Sequence, residues 1–210
     1  MMEGAEGMAE AAPMDESLRE IEGGGDLAGW SGRTDGDVPF EDVLVTEMEN
    51  GAFQVDVGPA VVLWKDDLQA QGSYTLSGTF RQVSSKDHPH GTGLVFGGAD
   101  LAEDGQVYTY FMVRGSGDFL VKTRTGDETF WAEPTDGWTP HEAVMQTDAN
   151  DEFVNELAVE VTDTEVVFMV NGTEVLRRPA DGLYVNGLYG VRANHNLTIQ
   201  VSDLGITSGD

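Results

Sequence analysis

From Trp30 to the C-terminus the chain alternates apolar and polar positions in short runs, the period-two pattern of half-buried β-strands. The most informative run is Val107 to Arg124, VYTYFMVRGSGDFLVKTR. A three-residue loop of Gly115, Ser116 and Gly117, with Gly117 in the left-handed bulge position, places Arg114 opposite Asp118 and fixes the register of both strands. One face then pairs Val113 with Phe119, Phe111 with Val121 and Thr109 with Thr123. The other pairs Met112 with Leu120, Tyr110 with Lys122 and Tyr108 with Arg124. A two-residue loop would slip the register and set Lys122 beside Phe111, burying a charge. Phe111 and Val121 are therefore expected in the core, with Tyr110 and Lys122 pointing out of it.

The same pattern gives the other strands. Asn50-Gly51 reads as a type I′ turn joining 43–49 to 52–57, with Met48 opposite Phe53 and Leu44 opposite Val57. Residues 60–64 make a short apolar strand. In 73–83, Tyr74, Leu76, Gly78 and Phe80 alternate with Thr75, Ser77, Thr79 and Arg81. The polar loop SSKDHPHGTG follows, then a central strand over 94–98. Residues 130–141 carry Trp131, Pro134, Trp138 and Pro140 and read as a structured loop crossing an edge. Strands at 156–161 and 165–170 lead to Asn171-Gly172 and 173–176, with Phe168 facing Val175, and 187–193 and 197–206 close the chain. No amphipathic helix or internal repeat is visible, so the pattern predicts an all-β, two-sheet antiparallel β-sandwich.

Composition sets the domain limits. Residues 1–29 hold eight acidic residues against Arg19, contain no aromatic residue and include Gly23, Gly24 and Gly25, so they read as an acidic flexible tail, with the sandwich at 30–207. The formal net charge is -27, from 38 acidic and 11 basic residues. Such a field repels nucleic acid and anionic membrane, and it suits either a strongly solvated surface or a saline habitat in which salt screens the repulsion. No apolar run is long enough to span a membrane. With no cysteine, disulfides and thiol chemistry are excluded.

In order and spacing, ENGAFQV, VLWKDDLQAQGSYTLSGTFRQV, GTGLVFGG, YTYFMVRGSGDFLVKTR, NELAVEVTDTEVVFMVNGTEV and GLYGVRANHNLTIQVSDLGI resemble the concanavalin A-like lectin/glucanase superfamily. They are closest to its laminin-G-like branch, near the bacterial 3-keto-disaccharide hydrolase domains. The resemblance covers Trp30 to Ile206. It implies a concanavalin A-like jelly roll, a ligand on the concave face or its rim, and a glycan or sugar-like small molecule as partner. The superfamily holds lectins, hydrolases and adhesive modules alike, so fold does not settle activity.

The chemistry-bearing residues cluster. The glucanase motif Glu-x-Asp-x-x-Glu is absent, and no carboxylate pair suggests itself among the acidic residues. Five basic residues, Arg81, Lys86, Arg114, Lys122 and Arg124, fall within 81–124. The candidate ligand-binding set is Lys86, His88, His90, Tyr108, Tyr110, Arg114, Lys122, Arg124, Arg192 and His195, because aromatic rings stack on sugar C–H faces while cations donate to hydroxyls or acidic groups. The competing use of these cations is to pair with the surplus carboxylates. His88, His90 and His195 are the candidate acid/base groups should there be turnover. His88 and His90 could supply two metal ligands with His195 or His141 as a third, but histidine spacing alone does not make a metal site; Asp100, Glu103 and Asp104 match no calcium-loop spacing, and no metal or cofactor is expected. Asn171-Gly-Thr and Asn196-Leu-Thr fit the glycosylation pattern, the first being better explained by its turn. The favoured function is a lectin-like, carbohydrate-binding module outside the cytoplasm; the alternatives are a 3-keto-type glycoside hydrolase and an adhesive module.

Overall fold

The computed structural model of the chain describes residues 17–85 and 89–208. The strands are β1 (Ser31–Thr34), β2 (Val43–Glu47), β3 (Phe53–Val57), β4 (Val61–Ala70), β5 (Tyr74–Ser85), β6 (Gly91–Ala99), β7 (Val107–Arg114) and β8 (Asp118–Thr125). They continue with β9 (Glu128–Trp131), β10 (Thr139–Pro140), β11 (Phe153–Val161), β12 (Glu165–Val170), β13 (Thr173–Pro179), β14 (Gly187–Ala193) and β15 (Leu197–Ser208). Eight strands form one antiparallel sheet in the order β1-β4-β14-β6-β7-β8, with β9 and β10 both paired to β8. Seven form the other, β13-β12-β11-β5-β15-β3-β2. Among the described residues no helix is long and apolar enough to cross a membrane.

The two sheets enclose the main core because their inward positions recur every second residue. Leu63, Leu94, Phe111, Val121 and Val191 from the larger sheet meet Leu76, Phe80, Leu157, Val159 and Phe168 from the smaller, all fully buried. Phe168 bridges the layers, with its ring 5.3 Å from Phe111 and 6.2 Å from Phe96. On the smaller sheet the opposite face of β5 carries Thr75, Ser77, Thr79 and Arg81, the alternation expected of one solvated side.

The central hairpin has the predicted register, from Arg114 opposite Asp118 to Tyr108 opposite Arg124. Gly117 takes φ +89°, and its amide donates to the Arg114 carbonyl at 3.0 Å. Two other registers differ by one step. Glu49, Asn50 and Gly51 form a three-residue loop, so Glu47 faces Phe53 and Val43 faces Val57, whereas a type I′ turn would set Leu44 against Val57. The observed register puts Val43, Val45, Phe53, Val55 and Val57 on one buried face, which the alternative splits. Asn171-Gly172 does make a two-residue turn, with Val170 opposite Thr173, but a bulge after Phe168 absorbs one residue. Phe168 consequently faces Leu176 rather than Val175, and both side chains are buried.

The strand expected at 60–64 continues to Ala70, because β14 pairs with it as far as Gly187. Residues 17–29, placed in the tail by composition, run along the sandwich. The Arg19 amide donates to Asn196 Oδ1 at 2.8 Å, and its guanidinium donates to the Val57 carbonyl, the Leu197 carbonyl and Thr198 Oγ1, with Asp56 Oδ1 at 3.4 Å. Gly25 and Asp26 extend the contact through backbone bonds to Val43 and Val45. Residues 1–16 of the expected tail lie outside the described residues.

Candidate functional site

The outer face of the larger sheet collects most of the predicted residues. Across the strands, Val62, Arg192, Gly93, Met112 and Leu120 share one row; Trp64, Gly190, Val95, Tyr110, Lys122 and Trp131 share the next; Tyr108 and Arg124 lie beyond. Adjacent members of a row stand about 4.8 Å apart, the strand spacing. Tyr110, Lys122 and Trp131 are therefore neighbours in that order, and the Lys122 ammonium sits 3.9 Å from the Trp131 ring centre.

This face is far less open than its hairpin suggests. Val62, Trp64, Val95, Leu101, Tyr108, Tyr110, Met112 and Leu120 form a second apolar cluster, against which Trp138 and Leu188 pack. Tyr110 leaves the main core as expected but is only 6% exposed, and Tyr108 is 1% exposed. The physical reason lies outside the hairpin. β4 and β6 present apolar residues on the same face, and the Trp138 ring fills the space above Gly91, where a Cβ would fall 2.5 Å from it. The accessible part is the β8–β9 end, where Lys122 and Arg124 are half-buried and Trp131 and Thr129 are exposed.

A charged cluster crosses the middle of the face. Arg192, nearly sealed from solvent, grips the Asp35 carboxylate with both terminal nitrogens, one at 3.2 Å and the other closer. The same guanidinium donates to Tyr108 Oη at 3.2 Å and lies 5.2 Å from the Tyr110 ring. Arg124 approaches Asp35 from β8 at 3.3 Å. Burial opposes charge on Asp35, yet Arg192 and then Arg124 and His195 outweigh it and hold its carboxyl below the ordinary value. Burial is the main cause that pushes Tyr110 up to about 12. Burial, then the positive field of Arg192, lowers Lys122, whose ammonium donates to Thr129 Oγ1 at 3.2 Å.

The remaining predicted residues divide. His90 and His195 come together, ring centres 4.2 Å apart, with His90 buried. Arg114 sits at the far end of the face, 3.0 Å from Asp118 Oδ2 and 4.6 Å from the Trp138 ring. Lys86 and His88 lie outside the described residues. Arg81 is not part of the cluster, since β5 belongs to the other sheet and Arg81 pairs with Glu152 at 2.6 Å. His141 packs its ring against Phe119 and accepts the Ala143 amide. Asp104 pairs with Arg33 at 3.3 Å. Among the described residues no group of three or more His, Asp or Glu is placed to hold a metal ion. Asn196, fully buried and bonded to Arg19, is closed to glycosylation, while Asn171 Nδ2 bonds the Ala143 carbonyl and Asn155 Oδ1 at 2.8 Å. Asp35 and Trp64 were not picked out from the sequence, because neither neighbours the hairpin in the chain.

No family model matches the sequence, and no curated protein matches it either. Solved structures do. The carbohydrate binding module CBM66 from Bacillus subtilis superposes with a TM-score of 0.61 at 11% identity, covering 86% of this chain and 96% of that one. The fold is that of the concanavalin A-like jelly rolls. A protein of unknown function with a galectin-like fold from Bacillus subtilis gives 0.55 at 12% identity over 91% and 93% of the two chains. A putative glycosyl hydrolase from Parabacteroides distasonis gives 0.51 at 12% over 85% and 100%. Identities this low make the likeness one of fold.

Proposed function

We infer that the protein is a lectin-like, carbohydrate-binding module whose ligand meets the β8–β9 end of the larger sheet's outer face. The observation that carries this reading is the exposed Trp131 beside the half-buried Lys122 and Arg124, at the accessible end of a row that starts from the buried Tyr110, in a chain of net charge -27. An indole ring stacks on the C–H face of a pyranose, while Lys122 and Arg124 donate to its hydroxyls. The superposition with a carbohydrate-binding module supports the reading. The pairing of the buried Arg192 with Asp35 fixes the floor beside it, which lowers the ordering cost of binding.

A place outside the cytoplasm, secreted, periplasmic or tethered, fits a module that meets glycans. A second reading, hydrolysis of 3-keto glycosides, draws on the His90–His195 contact beside Asp35, the kind of group that serves acid/base chemistry. A glycan array run beside a turnover screen on ordinary and 3-keto glycosides separates the two. Saturable binding without product, weakened at least tenfold in Lys122→Ala, is expected. Product formation lost in His195→Ala would replace binding by catalysis.

A further inference from the structure

The edge of the sandwich beyond β8 is left open. β9 and β13 are edge strands of the two sheets, and each carries a residue in an inward register: Phe130 lies opposite the buried Thr123, and Arg178 opposite the buried Val166. Inward residues normally close the core. Here they do not, because Phe130 stays 51% exposed and both residues line a cleft of about 640 Å³. Its lining includes Phe130, Trp131, Glu133, Pro134 and Asp136 from β9 and the loop after it, and Arg178 from β13. That size falls within the roughly 300–1,000 Å³ of small-molecule sites.

Arg178 is unusual in this chain. The seven other arginines each stand 3.4 Å or less from a carboxylate oxygen. The Arg178 side chain has no partner among the described residues, and its Nε is both sealed from water and unbonded. Glu133 and Asp136 line the same cleft without reaching it. With its Nε sealed, as that of Arg192 also is, Arg178 can meet a ligand in the cleft only through its terminal nitrogens. An inward charge can discourage edge-to-edge pairing of strands, but that role needs neither aromatic residues nor carboxylates in the same lining.

We propose that this cleft between β9 and β13 is a saccharide subsite, in which Phe130 and Trp131 stack on sugar rings while Arg178 donates to hydroxyls and Glu133 and Asp136 accept from them. The chemistry selects a neutral sugar. Two carboxylates against one guanidinium leave the lining net negative, and the field of the whole chain disfavours a uronate or sulfated glycan. Trp131 links the cleft to the outer-face site, since Lys122 lies over its ring. The proposal rests on the carbohydrate-binding reading and adds a second place of contact to it.

The test is amide, indole and guanidinium NMR of the whole chain, titrated with cellohexaose, laminarihexaose, xylohexaose, mannohexaose and, for contrast, oligogalacturonate. Shifts of Arg178 Nε–H and of the Phe130 and Thr135 amides with a neutral hexaose, together with at least tenfold weaker binding in both Phe130→Ala and Arg178→Gln, are the expected result. Both substitutions sit on exposed or half-exposed edge positions, and a Tm within a few degrees of the parent confirms folding. Binding that is lost in Lys122→Ala but unchanged in those two variants would overturn the cleft and leave the outer face standing. Preference for oligogalacturonate would overturn the assigned sugar class. No shift with any of the five would overturn the cleft and the outer-face reading together, and self-association of Arg178→Gln with undiminished sugar binding would make Arg178 an edge guard instead.

Discussion

Tyr110 and Phe111 are adjacent in the chain, lie on opposite faces of one strand, and are both buried. Phe111→Ala opens a cavity in the main core and is expected to cost about 3–5 kcal/mol. Tyr110→Ala opens one in the second cluster and is expected to cost a comparable amount, so thermal melts should show losses of similar size; a Tm near the parent's for Tyr110→Ala would mean the second cluster packs nothing. Lys122, half-buried at the margin, should be replaceable by Ala with little loss of stability. Asp35 gives a pH signature. Its carboxyl is held below its ordinary 3.8 by Arg192, Arg124 and His195 against the opposing effect of burial. A depressed carboxylate contributes stability that is present above its unfolded value and lost as pH falls through the lower folded one. Acid melts below about pH 4 should therefore decline less steeply in Asp35→Asn than in the parent, although that variant starts from a lower stability because Arg192 keeps a buried charge without its counter-ion.

At the scale of elements, loops decide register. Gly117 at φ +89° has the Gln146 side chain 2.9 Å from where a Cβ would fall, so Gly117→Ala meets both backbone strain and a clash. A loss of about 1 kcal/mol or more is expected from chemical denaturation, with the denaturant slope unchanged if the register holds. The segment 17–29 acts as a strap across β3 and the start of β15, and Arg19 is its main fastening. Hydrogen bonds from a charged donor are worth roughly 1.5–3 kcal/mol, so Arg19→Ala should lower Tm by several degrees and raise amide exchange at Val57 and Leu197. Exchange unchanged at those two amides would mean that the strap is not fastened in solution.

At the scale of the molecule, charge is the dominant feature. The net charge of -27 on a folded chain of 210 residues concentrates repulsion that an unfolded chain spreads out. Salt screens it, with a Debye length that falls from about 10 Å at 0.1 M to about 3 Å at 1 M. Tm should climb steadily as sodium or potassium chloride rises from dilute to molar. The surface ion pairs work the other way, since Arg177 with Glu165 and Glu174 and Arg81 with Glu152 weaken on screening. Each such pair is worth at most about 1 kcal/mol, so repulsion is expected to prevail; a flat or falling curve would leave only solubility as the consequence of the charge.

The all-β sandwich and the register of the β7–β8 hairpin were determined by the sequence itself. A strand's period and a glycine-bearing loop are local quantities, and burying Lys122 was a penalty visible within eighteen residues. The 49–51 loop and the bulge after Phe168 were legible only as turns. Choosing between registers one residue apart depended on which valines the opposite sheet would cover, and that sheet is assembled from distant segments. The outer face was legible as a set of aromatics and cations but not as a buried one, because Val62, Trp64 and Val95 come from strands remote in the chain and Trp138 folds back over Gly91. The Asp35–Arg192 pair spans 157 residues, and the β9–β13 cleft brings Phe130 to Arg178. Long-range contacts of this kind carry no local signature, since only the closing of two sheets against each other decides which side chains meet.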